Sequence, residues 1–234
     1  MHIGSDAWKK HLREGAREMG FSMGVREADQ LGVHAVELMR FNRRINLTAI
    51  REPLKVAVHH YLDSLAGLFW IPFRCRLLDI GSGGGFPGIP LKVLRPEMEL
   101  VLIDASRKKV TFLKHAIRTL NLNPVEALHV RAGFLVQRPG YAGSFDVVVS
   151  RALSSLKEFI LTALPLLKGN GRMIAWKSSS VAEEIHMLKA ELDPSVFSGI
   201  AVQQYPYSLP LIRSERVLVI VSTKKNETVR NKAH

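Results

Sequence analysis

The sequence has a single cysteine, Cys75, among 234 residues. One cysteine cannot form an intrachain disulfide, and it cannot supply the thiolate cluster of a zinc site. His59-His60 is the only adjacent pair of histidines, and no third ligand lies close to it in the sequence. Apolar runs are short, because none approaches the ~18 residues needed to cross a bilayer. The lack of these features argues against a disulfide scaffold, a metalloprotein and an integral membrane protein.

The N-terminal residues lack the apolar segment of a signal peptide, and we therefore expect a cytoplasmic protein with no membrane partner. Hydrophobic residues make up 47% of the chain. That content and the length predict one globular domain with a modest extension, which we expect to act as a monomer.

Acidic residues are outnumbered, with 21 against 33 basic ones and a net charge of +12. This balance favours a polyanionic partner such as nucleic acid, although Lys and Arg also keep proteins soluble. The candidates for RNA contact are Arg43, Arg44, Arg107, Lys114, Arg118 and Lys177. A solvated helix end explains the first two equally well, and a solvated strand end explains the last.

The stretch from 77 to 88 carries the clearest chemical signal. Apolar strand residues around Asp79 lead into a loop in which Gly81, Gly83 and Gly85 alternate. Glycines let the backbone turn sharply and let a ligand approach it without Cβ interference. The run from Ile89 to Leu94 can follow as a helix whose free N–H groups face the loop. Together these features predict a nucleotide-type site.

Two cofactors compete for this site. Residues 83–88 fit the dinucleotide pattern G-x-G-x-x-G, and Asp104 follows at about the expected distance to bond a ribose. Asp79, however, precedes the first glycine and would repel a pyrophosphate. S-adenosylmethionine (SAM) has no phosphate and offers an amino group and a sulfonium that favour a carboxylate. The pattern D-x-G-x-G-x-G resembles motif I of Rossmann-like SAM-dependent methyltransferases, so SAM is favoured over NAD.

Helical periodicity predicts an N-terminal extension over residues 1–72, with helices near 5–20 and 26–45 and another from Pro53. His60 and Asp63 lie one helical turn apart. We favour a structural hydrogen bond between them over a catalytic pair.

From residue 76 strands alternate with helices, which predicts an α/β fold with a mostly parallel sheet. The predicted strands cover about 77–80, 100–103, 127–131, 145–150, 172–176, 200–205 and 216–221, with a turn at 168–171. The last two should form a hairpin that adds an antiparallel strand. We therefore expect a Rossmann-like SAM-dependent methyltransferase core over residues 73–222, followed by a basic tail over 223–234.

Several segments together resemble one family. They are residues 42–50 (NRRINLTAI), 60–65 (HYLDSL), the loop from 79 to 90, and 150–156 (SRALSSL). In this order they are similar to RsmG, or glucose-inhibited division protein B, the bacterial 16S ribosomal RNA guanine-N7 methyltransferases. The sequence departs from the family pattern at Phe41, where Trp is usual, at His59, where Arg is common, and at Ala132-Gly133, where a bulkier pair is common.

The resemblance implies SAM as the cofactor and 16S RNA or the 30S particle as the partner. The expected cofactor residues are Asp79, Gly81, Gly83, Gly85, Phe86, Asp104, Ala105, Ser106, Ala132, Gly133 and Arg151. Arg151 follows an apolar strand, and we expect it to serve catalysis as a positioning contact; a structural ion pair with Asp79 or Asp104 is the alternative. Methylation of a protein or metabolite, or NAD binding by a non-catalytic regulator, are the alternative functions.

Overall fold

A computed structural model of the chain describes residues 1–151, 155–178 and 180–224. The described residues form a seven-stranded sheet in the order β3-β2-β1-β4-β5-β7-β6. The strands are β1 (Arg76–Ile80), β2 (Glu99–Asp104), β3 (Val125–His129), β4 (Phe145–Ser150), β5 (Leu167–Ser178), β6 (Ile200–Leu209) and β7 (Ser214–Thr223). Residues 152–154 of the family-like segment and 225–234 of the predicted tail lie outside the described residues.

Helices precede the sheet and connect its strands. They are α1 (Asp6–Glu18), α2 (Val25–Ile45), α3 (Pro53–Val56), α4 (Asp63–Leu65), α5 (Gly88–Leu94), α6 (Arg107–Thr119), α7 (Ala132–Leu135), α8 (Leu156–Ala163), α9 (Val181–Glu191) and α10 (Pro194–Ser198). A π-helical turn (Ala57–Leu62) joins α3 to α4, and 3-10 turns follow α4 (Ala66–Trp70) and α8 (Leu164–Leu166). Within the described ranges, none of these helices is both long and apolar enough to cross a membrane.

The strand directions confirm the predicted fold class. β1 pairs in parallel with β2 and β4, and β5 continues the parallel set beside β4. β7 runs antiparallel to both β5 and β6. Apart from Asp79, the middle residues of the central strands are apolar, because helices cover both faces of the sheet.

Two hydrophobic cores lie on opposite faces of the sheet, and side chains of β1 alternate between them. Leu77 packs in one core with Trp8 of α1, Leu31 of α2 and other residues of the extension. Leu78 packs in the other core, with α8 and α9. Each fully buried apolar side chain contributes about 1.5–3 kcal/mol, so the helical extension is a packed layer of the fold.

Besides shifts of a few residues at strand ends, three features differ from the sequence prediction. The turn predicted at 168–171 is wrong, because these residues lie within β5, where the pairing with β4 shifts register. A Cβ on Gly171 would lie 3.0 Å from the carbonyl oxygen of Phe145, so glycine permits the close strand approach there. β6 runs through Pro206 because it is an edge strand, where a missing N–H is tolerated. The short helix α10 was not predicted.

Candidate active site

Four predicted segments meet at one edge of the sheet. Gly81 follows β1, Ala105 follows β2, Ala132 follows β3 and Arg151 follows β4. Since these strands are parallel and adjacent, their carboxyl ends lie side by side. Ligands of open α/β sheets bind at this edge.

The glycine loop requires glycine at several positions. Gly81, Gly83 and Gly85 have φ of 73°, 56° and 87°, a left-handed conformation that other residues rarely adopt. Around Gly83 the space is open, since the nearest atom to an added Cβ would be the Gly81 carbonyl oxygen at 3.8 Å. A Cβ on Gly85 would instead lie 2.5 Å from Ile89. Gly83 therefore leaves room for a ligand, whereas Gly85 permits packing.

Asp79 lies beneath this loop and is fully buried. Its Oδ2 accepts a hydrogen bond of 2.8 Å from the Gly88 N–H, while its Oδ1 has no partner among the described residues. Burial raises the pKa of Asp79 to about 7, against the lowering effects of the Gly88 N–H and the charge of Arg151. A buried carboxylate oxygen without a donor suits the amino group of SAM.

Asp104 joins the ends of β1 and β2. Its Oδ2 accepts from the Gly83 N–H at 3.0 Å, and its Oδ1 accepts from the Ser106 N–H at 2.8 Å. Each carboxylate oxygen has a second lone pair, so the side chain can also accept from ribose hydroxyls. Asp104 thus holds the loop in shape at the place where the ribose is expected.

The loop after β3 is open. A Cβ added to Gly133 would meet nothing within 4 Å, and the neighbouring Phe134 is 57% exposed. Ala132 and Gly133 therefore present a flat, low surface at the sheet edge, which suits the adenine role expected for them.

Arg151 contacts the helical extension. Its Nη1 donates to the His59 carbonyl oxygen at 2.7 Å and lies 3.5 Å from Asp63 Oδ2, and its Nη2 lies 3.1 Å from His60 Nδ1. Its guanidinium carbon lies 5.1 Å from the ring centre of Phe86. The alternative interpretation placed Asp79 or Asp104 in an ion pair with Arg151, but the carboxylate that its guanidinium contacts is that of Asp63.

Phe86 packs into the extension as well. Its side chain is 5% exposed, stacks on His60 at 4.7 Å and meets Tyr61 edge-on at 5.2 Å. The ring thus anchors the glycine loop to the extension. A contact between Phe86 and SAM stays a prediction.

Sequence reasoning missed a polar cluster around Asp63. This carboxylate accepts from Tyr207 at 2.5 Å and from Arg216 at 3.2 Å, besides its contact with Arg151. Arg151 links Asp63 to His60, in place of the direct hydrogen bond expected between them. Tyr207 and Arg216 lie 144 and 153 positions from Asp63, so no local pattern could reveal the cluster.

The RNA candidates fall into two groups. Five are exposed: Arg43, Arg44, Arg107, Lys114 and Arg118. The last three lie on α6, which begins directly after Ser106, so Arg107 borders the site, while Lys114 and Arg118 lie about two and three turns farther along the helix. Lys177 differs, because its ammonium pairs with Glu184 at 3.0 Å. RNA contacts at all six positions stay predictions. In the described part of the chain, no group of three His, Cys, Asp or Glu residues is placed to hold a metal ion.

The fold is the Rossmann-like fold of SAM-dependent methyltransferases. A SAM-dependent methyltransferase from Aquifex aeolicus superposes with a TM-score of 0.55 at 14% identity, over 76% of this chain and 97% of that one. TYW2 from M. jannaschii, in complex with AdoMet, superposes with a TM-score of 0.50 at 15% identity, over 68% of this chain and 73% of that one. These likenesses concern the fold.

The family model described as "GidB: rRNA small subunit methyltransferase G" matches residues 27–209. A relative from Geobacter sp. (strain M21), ribosomal RNA small subunit methyltransferase G, is 45% identical over 91% of this chain and 96% of its own length. The chain belongs to the rRNA small subunit methyltransferase G family, and the resemblance drawn from the sequence is confirmed.

Proposed function

We propose that this protein transfers the methyl group of SAM to N7 of a guanine in 16S ribosomal RNA. The observation that carries the proposal is the Oδ1 of Asp79, which lies beneath an open glycine loop and has no hydrogen-bond partner in the described part of the chain, in a member of this family. When bound, SAM supplies a methyl group made electrophilic by its sulfonium.

The residues at the sheet edge divide the work of binding the cofactor. Asp79 would accept from its amino group, and Asp104 would accept from its ribose hydroxyls. Ala132 and Gly133 would receive the adenine on their open backbone. The backbone at Gly83 would approach the ligand closely because nothing there occupies the space of a Cβ.

The chain need not supply a general base. Guanine N7 has a lone pair and carries no proton, so the protein only has to orient the base in line with the methyl group. Positioning of this kind can supply up to about 7–11 kcal/mol of a reaction barrier. Arg151 fits a positioning role because four groups of the extension and the loop fix its guanidinium at the sheet edge.

We further infer that the protein works in the cytoplasm, as a monomer, on free 16S RNA or on a 30S particle. Residues 1–72 would serve as an extension packed on a methyltransferase core over residues 73–222. The net charge of +12 supports the polyanionic substrate. Light scattering after gel filtration measures the mass, and a dimer would contradict the monomer.

Labelled SAM offered with 30S particles, with free 16S RNA and with a protein extract tests the function. We expect label in the RNA, recovered as N7-methylguanosine after nuclease digestion. Label confined to the protein extract would replace the proposal with protein methylation. NAD binding in calorimetry together with no SAM binding would favour a non-catalytic regulator.

Asp79→Asn tests the cofactor site, because it keeps the side-chain shape and leaves an acceptor for the Gly88 N–H. If methyl transfer uses this site, the variant should transfer no label to the 30S particle, to the free RNA or to the protein extract. Unchanged transfer would show that the glycine loop is not the cofactor site.

A further inference from the structure

A row of aromatic side chains lies outside the cofactor site, between the extension and the edge strand β6. We call Phe21, Phe69, Trp70 and Tyr205 the aromatic row. The ring centres of Phe21 and Phe69 are 4.6 Å apart, those of Phe69 and Trp70 are 6.1 Å apart, and those of Trp70 and Tyr205 are 4.7 Å apart. Phe69 is 68% exposed, so the row presents ring surface to solvent.

The row lines a groove of about 360 Å³, which is within the range of small-molecule sites. Phe21 also lines a neighbouring hollow of about 600 Å³, together with Lys10, Arg13 and Arg17 of α1. Across the described ranges, neither Arg13 nor Arg17 has a carboxylate within ion-pair distance, and both are exposed.

The carboxylates nearby do not cancel this charge. Glu14 of α1 is shared by Lys10 at 3.8 Å and His11 at 3.7 Å. Glu18 also lines the aromatic groove. Three cations of α1 therefore border the hollow that meets the row at Phe21, against these two carboxylates.

The groove also connects to Arg151. Tyr207 lines its wall and donates to Asp63 Oδ1 at 2.5 Å, while Asp63 Oδ2 contacts Arg151. A molecule lying in the groove is thus separated from Arg151 by two side chains in contact, Tyr207 and Asp63.

We propose that the aromatic row, with Arg13 and Arg17, docks an unpaired segment of the RNA substrate. This inference rests on the proposed function for the identity of the substrate. Bases stack on aromatic rings whatever their sequence, and cations beside the rings neutralise the phosphates. The exposed ring of Phe69 supplies the stacking surface, and Arg13 and Arg17, which have no ion-pair partner among the described residues, line the hollow on the other side of Phe21. A purely apolar partner would leave Arg13 and Arg17 without counter-charge.

Phe69 allows a test that separates stacking from packing. Phe69→Leu keeps apolar cover over Phe21 and removes the ring, whereas Phe69→Tyr keeps a ring. We expect Phe69→Leu to weaken binding of 16S RNA by about tenfold and Phe69→Tyr to retain it. Met187→Ala serves as the control, since Met187 is an exposed apolar side chain of α9 on the opposite face.

The cations are tested by salt. Arg13→Ala with Arg17→Ala should reduce the slope of log affinity against log salt by about 1.4, from about 0.7 for each phosphate of a single strand. As a control, Lys189→Ala removes an exposed cation of α9 and should leave the RNA affinity unchanged. SAM affinity by calorimetry should stay the same in all these variants.

The outcomes separate this proposal from the proposed function. If the wild type methylates 16S RNA while Phe69→Leu and the Arg13/Arg17 variant bind it normally, the docking surface is wrong and the function stands. If binding depends on these residues but no methyl group is transferred, the docking surface stands and the function fails. Equal loss in Phe69→Leu and Phe69→Tyr would also overturn the proposal, because stacking would then not be the cause.

Discussion

Arg151→Ala should lower both stability and turnover, and the two losses can be separated. The guanidinium makes a charge-assisted hydrogen bond of 2.7 Å to the His59 carbonyl oxygen, a bond typically worth about 1.5–3 kcal/mol. Its contact with His60 adds a second bond of about 1 kcal/mol. Asp63, 1% exposed, keeps Arg216 and Tyr207 as partners, so its charge is not stranded. The expected loss of stability is therefore about 2–4 kcal/mol.

Native domains have about 5–15 kcal/mol of stability, so the variant should remain folded at moderate temperature. Urea denaturation measures the loss. Turnover is then compared at saturating SAM and RNA, at a temperature where both proteins are fully folded. A positioning contact in the reaction complex should cost a further ~2–4 kcal/mol, or tens to hundreds of fold in rate.

Asp63→Asn is the matched comparison, because it keeps Arg151 in place but removes the charge that faces it. If Asp63→Asn loses stability and keeps its turnover per folded molecule while Arg151→Ala loses both, Arg151 acts in the reaction complex. Normal turnover by folded Arg151→Ala would refute the reasoning and leave Arg151 a structural tie between sheet and extension.

Three further predictions concern the cofactor, the RNA and pH. Asp79→Asn should weaken SAM binding at least tenfold in calorimetry. Burial raises the pKa of Asp79 to about 7, so the wild-type affinity for SAM should decrease as the pH is lowered through 7 and the carboxylate takes up a proton. A SAM affinity that does not change with pH would contradict this. Lys114→Ala with Arg118→Ala should flatten the salt dependence of RNA binding while Lys189→Ala should not, and equal slopes would remove the α6 face from the RNA site. Burial lowers the pKa of His60 to about 3, whereas in the unfolded chain this histidine binds a proton once the pH falls below about 6.5. The free energy of unfolding should therefore decrease by up to about 1.4 kcal/mol per pH unit between pH 6.5 and pH 3. Urea midpoints of His60→Gln should lack this share of the acid dependence, and an identical profile would show that folding does not lower the pKa of His60.

The elements were largely predictable because their signals are local. The helices near 5–20 and 26–45, the apolar strand 145–150 and the glycine spacing at 81–85 each follow from neighbouring residues, and the structure places them close to where they were expected. The pattern at 168–171 failed because two glycines in a strand with a register shift look like a turn in sequence. The residues around a glycine do not indicate whether it allows the chain to turn or allows two strands to approach closely.

The candidate site was predictable where it follows strand ends and was missed where it depends on contacts across the fold. Asp79, Asp104 and Arg151 each follow or end an apolar strand, and parallel strands bring such residues to one edge. The partners of Arg151 come from helical residues about 90 positions earlier in the chain. Only the packing of the extension against the sheet brings them together, so the sequence offered Asp79 and Asp104 as nearer but wrong partners.

The extension therefore shapes the cofactor loop from below. His34 of α2 is buried, and its Nδ1 lies 2.8 Å from the Tyr61 hydroxyl. Its Nε2 lies beneath the loop, 3.3 Å from where a Cβ on Gly85 would stand. Burial lowers the pKa of His34 to about 3, so the ring is neutral and adds no positive charge under a site meant for a cationic ligand. Since Phe86 of the same loop stacks on His60, which contacts Arg151, the loop and Arg151 share one support. Movement of the extension would displace the cofactor loop and the proposed positioning residue together, which ties the helical layer to the chemistry at the sheet edge.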